Sequence, residues 1–67
     1  MNATLQKPYY HLMMIMKRKG VTQKELAENI NMDASMLSLK INGKRSMKLE
    51  EAKMIAFYLQ INLDDIE

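Results

Sequence analysis

Between Ala34 and Arg45 the chain sets Ser35, Ser38 and Leu39 at helical spacing, follows them with Lys40, and ends on Asn42-Gly43-Lys44-Arg45. Hydroxyls that donate and accept, an apolar tip and a closing pair of cations suit a surface rich in hydrogen-bonding groups and negative charge. They are poorly suited to making or breaking bonds. No nucleophile, base and acid come together in the sequence, and Asp64, Asp65 and Glu67 read as a helix end. The single histidine, His11, cannot assemble a zinc site by itself, and with no cysteine there are no thiolate ligands or disulfides. The expectation is a binding protein rather than an enzyme, with no cofactor, metal or small-molecule ligand.

Two short helices must hold these side chains in place. Thr22 can cap the turn that follows it, and Glu25, three residues on, can reach back to the Thr22 N–H, so a capping box is expected to start a helix at Gln23. Leu26, Ala27 and Ile30 share one face of that helix, which should run to about Ile30. Asn31 then tolerates the left-handed backbone region and makes a corner. Asp33 is a second N-cap, opening a helix from about Ala34 to Lys40 with Met36, Leu37 and Ile41 as its apolar stripe and Asn42-Gly43 as its stop. Two helices joined by so tight a turn form a helix-turn-helix, the layout that places the second helix in the DNA major groove. With Leu37 and Ile41 turned inward, Ala34, Ser35, Ser38 and Leu39 are left on the outer face.

The rest of the chain supports that unit. A helix from about Pro8 to Lys19 carries Tyr9, Leu12, Met13 and Met16 on one stripe and stops at Gly20; another from about Leu49 to Gln60 buries Ala52, Ile55, Ala56 and Leu59. A last turn, about Leu63 to Ile66, closes the core. The expected fold is one all-α domain spanning residues 1–67, of five short helices, with residues 1–7 loose. No apolar run approaches the ~20 residues of a membrane span, and Tyr9 to Met16, the longest candidate, is followed rather than preceded by cations. A cytoplasmic location is expected. The formal net charge of +2 hides an asymmetry: through Lys48 nine basic residues face three acidic ones, whereas from Leu49 onward one faces five. The basic part coincides with the helix-turn-helix, as a polyanion binder requires, although lysines that merely solubilise a helical bundle would look the same.

The ordered set Thr22-Gln23, Leu26-Ala27, the Asn31 corner and Gly43-Lys44-Arg45 resembles the phage Cro and repressor (Cro/C1) family. That pattern opens on Thr-Gln-x-x-Leu-Ala, turns a corner, and leaves its recognition helix on Gly-Lys-Arg. Leu49 to Leu59 and Leu63 to Ile66 match the family's fourth and fifth helices, so the resemblance covers nearly the whole chain from about Tyr9. It implies a lambda-repressor-like domain that binds double-stranded DNA and acts as a transcriptional repressor in a bacterial host cell, at the nucleoid. Because no effector domain follows, Cro is the better comparison than the longer repressors. One domain reads one half-site, so a homodimer on a pseudo-palindrome with half-site centres ~34 Å apart is expected. With so little surface to spare, that dimer is compatible with assembly only on DNA.

The resemblance assigns roles residue by residue. Ala34, Ser35, Ser38, Leu39 and Lys40 are the base-reading candidates; Thr22, Gln23, Asn42, Gly43, Lys44 and Arg45 are the candidates for the DNA backbone. Serines discriminate weakly among base edges, and Ala34 and Leu39 can pack on a thymine methyl, so direct readout should be modest. Two departures stand out. The Lys40 position is ordinarily apolar and inward, so either its stem runs along the core with the ammonium at a phosphate, or Ile41 takes the inward role by a small rotation of the helix, the preferred reading. Where many relatives bury an Arg–Glu pair, this chain has Met16 and Ile41, which are expected to pack together.

Other features are left over. Eight methionines read as core filler, and Tyr9 and Tyr10 as caps on a small core. Met54, Phe57, Tyr58 and Ile61 exceed the inward stripe of the fourth helix and suit either a dimer interface or a cover for its neighbours. A protein-binding role, as an antitoxin or antirepressor gripping a partner through that helix, is the competing reading.

Overall fold

Among the described residues every α-helix is closed by the same backbone device, and those closures set where the candidate site side chains stand. The computed structural model describes residues 7–66: α1 (Tyr10–Lys19), α2 (Gln23–Asn29), α3 (Ala34–Ile41) and α4 (Leu49–Leu59), followed by a 3-10 turn at Leu63–Asp65. Gly20, Asn31, Gly43 and Gln60, with φ of 70°, 58°, 77° and 59°, follow the four helices in turn. At each of them two N–H groups fold back onto the last turn, as in Val21 N–H to Met16 O at 2.9 Å with Gly20 N–H to Lys17 O at 3.2 Å. The same pair of bonds closes α2, α3 and α4, and this Schellman arrangement satisfies carbonyls that a helix end otherwise leaves unpaired.

The N-termini are capped by side chains. Thr22 Oγ1 accepts from Glu25 N–H at 3.0 Å and Asp33 Oδ2 from Met36 N–H at 3.1 Å. The expected capping box at α2 is only half formed, because the Glu25 carboxylate takes the Tyr58 hydroxyl at 2.9 Å instead of returning to Thr22. That bond joins α2 to α4 across 33 residues.

The core gathers Leu12, Ile15 and Met16 of α1, Leu26, Ala27 and Ile30 around α2, Leu37 and Ile41 of α3, Ile55, Ala56 and Leu59 of α4, and Ile66. Met16 and Ile41 lie in this one cluster. α2 packs against both α3 and α4, and the 3-10 turn against α4. Burying each large aliphatic is worth about 1.5–3 kcal/mol, which is how a domain this small stays folded.

Several expectations need correction. There are four α-helices among the described residues, not five: Leu63–Asp65 makes only the i→i+3 bonds of a 3-10 turn, with Asp65 N–H on Asn62 O and Ile66 N–H on Leu63 O, before Ile66 turns into the core. α1 starts at Tyr10 rather than Pro8: Tyr9, with φ −85° and ψ 73°, is the residue before the helix, and its N–H, which a helix start leaves free, bonds the Ile41 carbonyl at 2.8 Å. α2 and α4 each stop one residue early, at Asn29 and Leu59, where the left-handed residue requires it; α3 runs one residue longer, to Ile41. Ile15, absent from the expected stripe, is buried, whereas Tyr10 is largely exposed. The loose tail expected at residues 1–7 falls, apart from an exposed Lys7, outside the described residues.

Gln60 is the one exposed long side chain forced into left-handed backbone, a conformation costing L-residues roughly 1–2 kcal/mol, of which the extra unfolded-state freedom of glycine cancels part. Gln60→Gly is therefore expected to stabilise the domain by about 0.5–1 kcal/mol, seen as a rise of a few degrees in Tm.

Candidate nucleic-acid interface

α2, the corner at Asn31 and α3 form a helix-turn-helix whose second helix is held by Leu37 and Ile41, both fully buried. The opposite face is open. Ala34, Ser35 and Leu39 are exposed and Ser38 is half-buried, so the outward set anticipated for α3 is brought together along one side. At the C-terminal end of that side the Asn42 amide donates to Ser38 O at 2.8 Å and approaches Ser38 Oγ at 3.4 Å. This ties the Asn42 side chain to the helix and leaves its carbonyl oxygen as an acceptor.

Lys44 and Arg45 stand exposed immediately beyond. Their position follows from the Schellman closure of α3, in which Lys44 N–H bonds Leu39 O at 2.9 Å and Gly43 N–H bonds Lys40 O at 3.2 Å. In the other three closures the equivalent of Lys44 is Val21, Met32 or Ile61, each partly buried against the core. At α3 that apolar place is taken by a solvated cation. Thr22 is exposed at the start of α2 and keeps its hydroxyl proton available while its oxygen caps the helix; Gln23 beside it is half-buried.

Two anticipated site residues stand elsewhere. Lys40 is 8% exposed, and its ammonium pairs with Glu51 at 2.5 Å, so it does not lie on the outer side with Ala34, Ser35 and Leu39, and its charge is neutralised inside the protein. Ile41 is buried as well, so the helix did not rotate to trade one for the other; both point inward, and Lys40 finds a carboxylate where a phosphate was expected. Gly43 is buried, which turns its freedom to the backbone closure at φ 77° and not to a close approach by a phosphate.

In the sequence Glu51 is one of the five acidic residues that follow Leu49. It occupies the first turn of α4, where Oε1 accepts from Lys48 N–H at 2.9 Å while Oε2 holds Lys40. Burial penalises its charge, but the Lys40 and Lys48 N–H hydrogen bonds and the two positive charges outweigh this, and the carboxyl lies below its ordinary value. The signal was present: a lysine at an inward position between Leu37 and Ile41 needs a counter-charge. Tyr58, whose hydroxyl donates to Glu25, has its pKa raised because that bond, then burial and the nearby negative charge, all favour the protonated form.

Comparison with known proteins bears on what this geometry serves. A family model for the Cro/C1-type helix-turn-helix DNA-binding domain matches residues 11–67. The chain belongs to that family. Among solved structures, this Cro/C1-type domain is similar to the restriction-modification controller protein C.AhdI from Aeromonas hydrophila, with a TM-score of 0.78 and 24% identity, covering 85% of this chain and 86% of that chain. At that identity the likeness is one of fold. No curated protein matches the sequence. Among the described residues no helix is long and apolar enough to cross a membrane.

A carboxyl whose pKa is lowered on folding adds stability that is fully present above its unfolded value, near pH 4.3, and is lost as pH falls through the folded value. Glu51→Gln should cost about 1–3 kcal/mol at neutral pH. Thermal melts from about pH 5 down to about pH 3 are expected to show a smaller loss of Tm in this variant than in the wild type. An equal loss would mean that the Lys40–Glu51 pair contributes nothing to the acid limb.

Proposed function

We propose that this domain is a transcriptional repressor of the phage Cro type, binding double-stranded DNA sequence-specifically as a homodimer on a pseudo-palindromic operator and repressing by occupancy of a promoter. The observation that carries this reading is the outer side of α3, where Ala34, Ser35 and Leu39 stand open beside Lys44 and Arg45 while Leu37 and Ile41 fix the helix from within. Ala34, Ser35, Ser38 and Leu39 read bases, chiefly through thymine methyl contacts and adaptable hydroxyls, without the bidentate Arg, Asn or Gln pairs that sharpen discrimination. Thr22, Gln23, Asn42, Lys44 and Arg45 hold phosphates and set the register. The protein works in the bacterial cytoplasm, at the nucleoid.

Met54 and Phe57 of α4 supply a surface for the second copy. Phe57 is 87% exposed and Met54 43%, beside a shallow groove formed with Asn29, Ile30, Tyr58 and Gln60. A phenylalanine so fully in water gains from being covered. None of these residues belongs to the DNA-facing set. The same patch supports a second reading, in which the domain grips a different protein as an antitoxin or antirepressor. A protein that stays monomeric on its operator and co-purifies with a stoichiometric partner would favour that reading.

Selection from a random-sequence duplex pool, followed by sequencing, identifies the operator and tests the proposal directly; recovery of no enriched sequence would defeat it. On the selected site, Lys44→Ala is expected to weaken all sequences alike and to lower the slope of log affinity against log salt by about 1. Ser35→Ala or Leu39→Ala should instead change preference at one position of the half-site. Phe57→Ser is expected to leave the melt nearly unchanged and to convert two-copy occupancy of the operator, measured by native mass spectrometry, into one-copy binding of lower affinity.

A further inference from the structure

The two oxygens of one carboxylate grip both ends of the loop that carries Lys44 and Arg45. Glu51 Oε2 holds the Lys40 ammonium in the last turn of α3, and Oε1 holds the Lys48 N–H at the start of α4. Between those grips Gly43 is buried and Met47 packs against the core, so the loop touches solvent mainly through Asn42, Lys44, Arg45 and Ser46. The chain thus fixes the bases of two flexible cations while leaving their tips in water. We propose that Glu51 is a positioning residue for DNA binding, setting Lys44 and Arg45 at a fixed offset from the outer face of α3. The inference rests on the reading of those two cations as phosphate contacts.

The consequence runs against simple charge counting. A carboxylate beside a polyanion site should oppose binding, and its removal should strengthen association by long-range attraction. Here Glu51 and Lys40, with side chains 15% and 10% exposed, form a neutral pair; removing the carboxylate leaves the Lys40 charge uncompensated, which by counting alone should favour binding. What is lost is the joint between α3 and the loop. An unanchored loop must be ordered at the moment of binding, which lowers affinity although every cation is still present.

The full-length chain is titrated into a short mixed-sequence DNA duplex by fluorescence anisotropy at several salt concentrations, with thermal melts in parallel. Three variants are compared with the wild type. Lys44→Ala reports on the phosphate reading itself and is expected to bind more weakly with a flatter salt slope. Glu51→Gln, with one more positive net charge, is expected to bind about tenfold more weakly. The paired change Lys40→Met with Glu51→Leu leaves net charge unaltered and replaces a part-buried ion pair by apolar groups; its melt is expected to stay close to the wild type while its binding also falls about tenfold. A weakened Lys44→Ala together with a folded Glu51→Gln or a folded paired variant that binds as tightly as the wild type would overturn the positioning role alone. Lys44→Ala binding like the wild type would instead sink the phosphate reading and the inference with it. If both Glu51 variants were unfolded at the assay temperature, Glu51 would belong to the fold and not to positioning.

Discussion

A lysine on the inward side of α3 is the constraint around which the helix-turn-helix half of this domain is arranged. The interior cannot hold an unpaired ammonium without a cost of several kcal/mol, so Lys40 has to meet a counter-charge at a defined place. Glu51 supplies it from the first turn of α4, and the same carboxylate caps that helix through Lys48 N–H. One side chain thereby ties the last turn of α3 to the first turn of α4 and holds the chain between them. Apolar contacts would have served stability as well, but they slide; a charged pair with directional hydrogen bonds defines a single register.

Much of this was legible in the residues because the relevant forces are local. Thr22 and Asp33 cap α2 and α3 through contacts three residues long, Asn31 makes the corner in left-handed backbone, and Leu37 and Ile41 anchor α3 as the helical period demands. What escaped was non-local. Glu25 looked like the partner of Thr22 because they are three apart, yet it bonds Tyr58, which only the packing of α2 against α4 brings near. Lys40 and Glu51 lie eleven residues apart across a loop, a separation at which spacing in the sequence gives no hint of contact. Tyr9 N–H reaches the Ile41 carbonyl across the whole helix-turn-helix, a contact that no local pattern announces. The outward placement of Ala34, Ser35 and Leu39 was readable, whereas Lys40 and Gly43 were misread because burial depends on what packs over them.

The charge pattern looks different once the fold is known. Nine cations precede Leu49, but one of them is internal and paired, so the field facing outward comes from the rest. Lys17, Arg18 and Lys19 sit in the last turn of α1, where they also complement the negative end of that helix. Lys44 and Arg45 stand just beyond the C-terminus of α3, exposed beside its outer flank.

The repeated left-handed stops have a consequence for how such a chain can diverge. Because each helix is terminated by its own following residue and not by a neighbour, the length of α3 is decided at Gly43, independently of the side chains on its outer flank. Substitutions there can change the chemistry of the exposed flank without shifting any other segment. The domain thus separates a framework fixed by its own backbone stops from a flank whose side chains are free to vary.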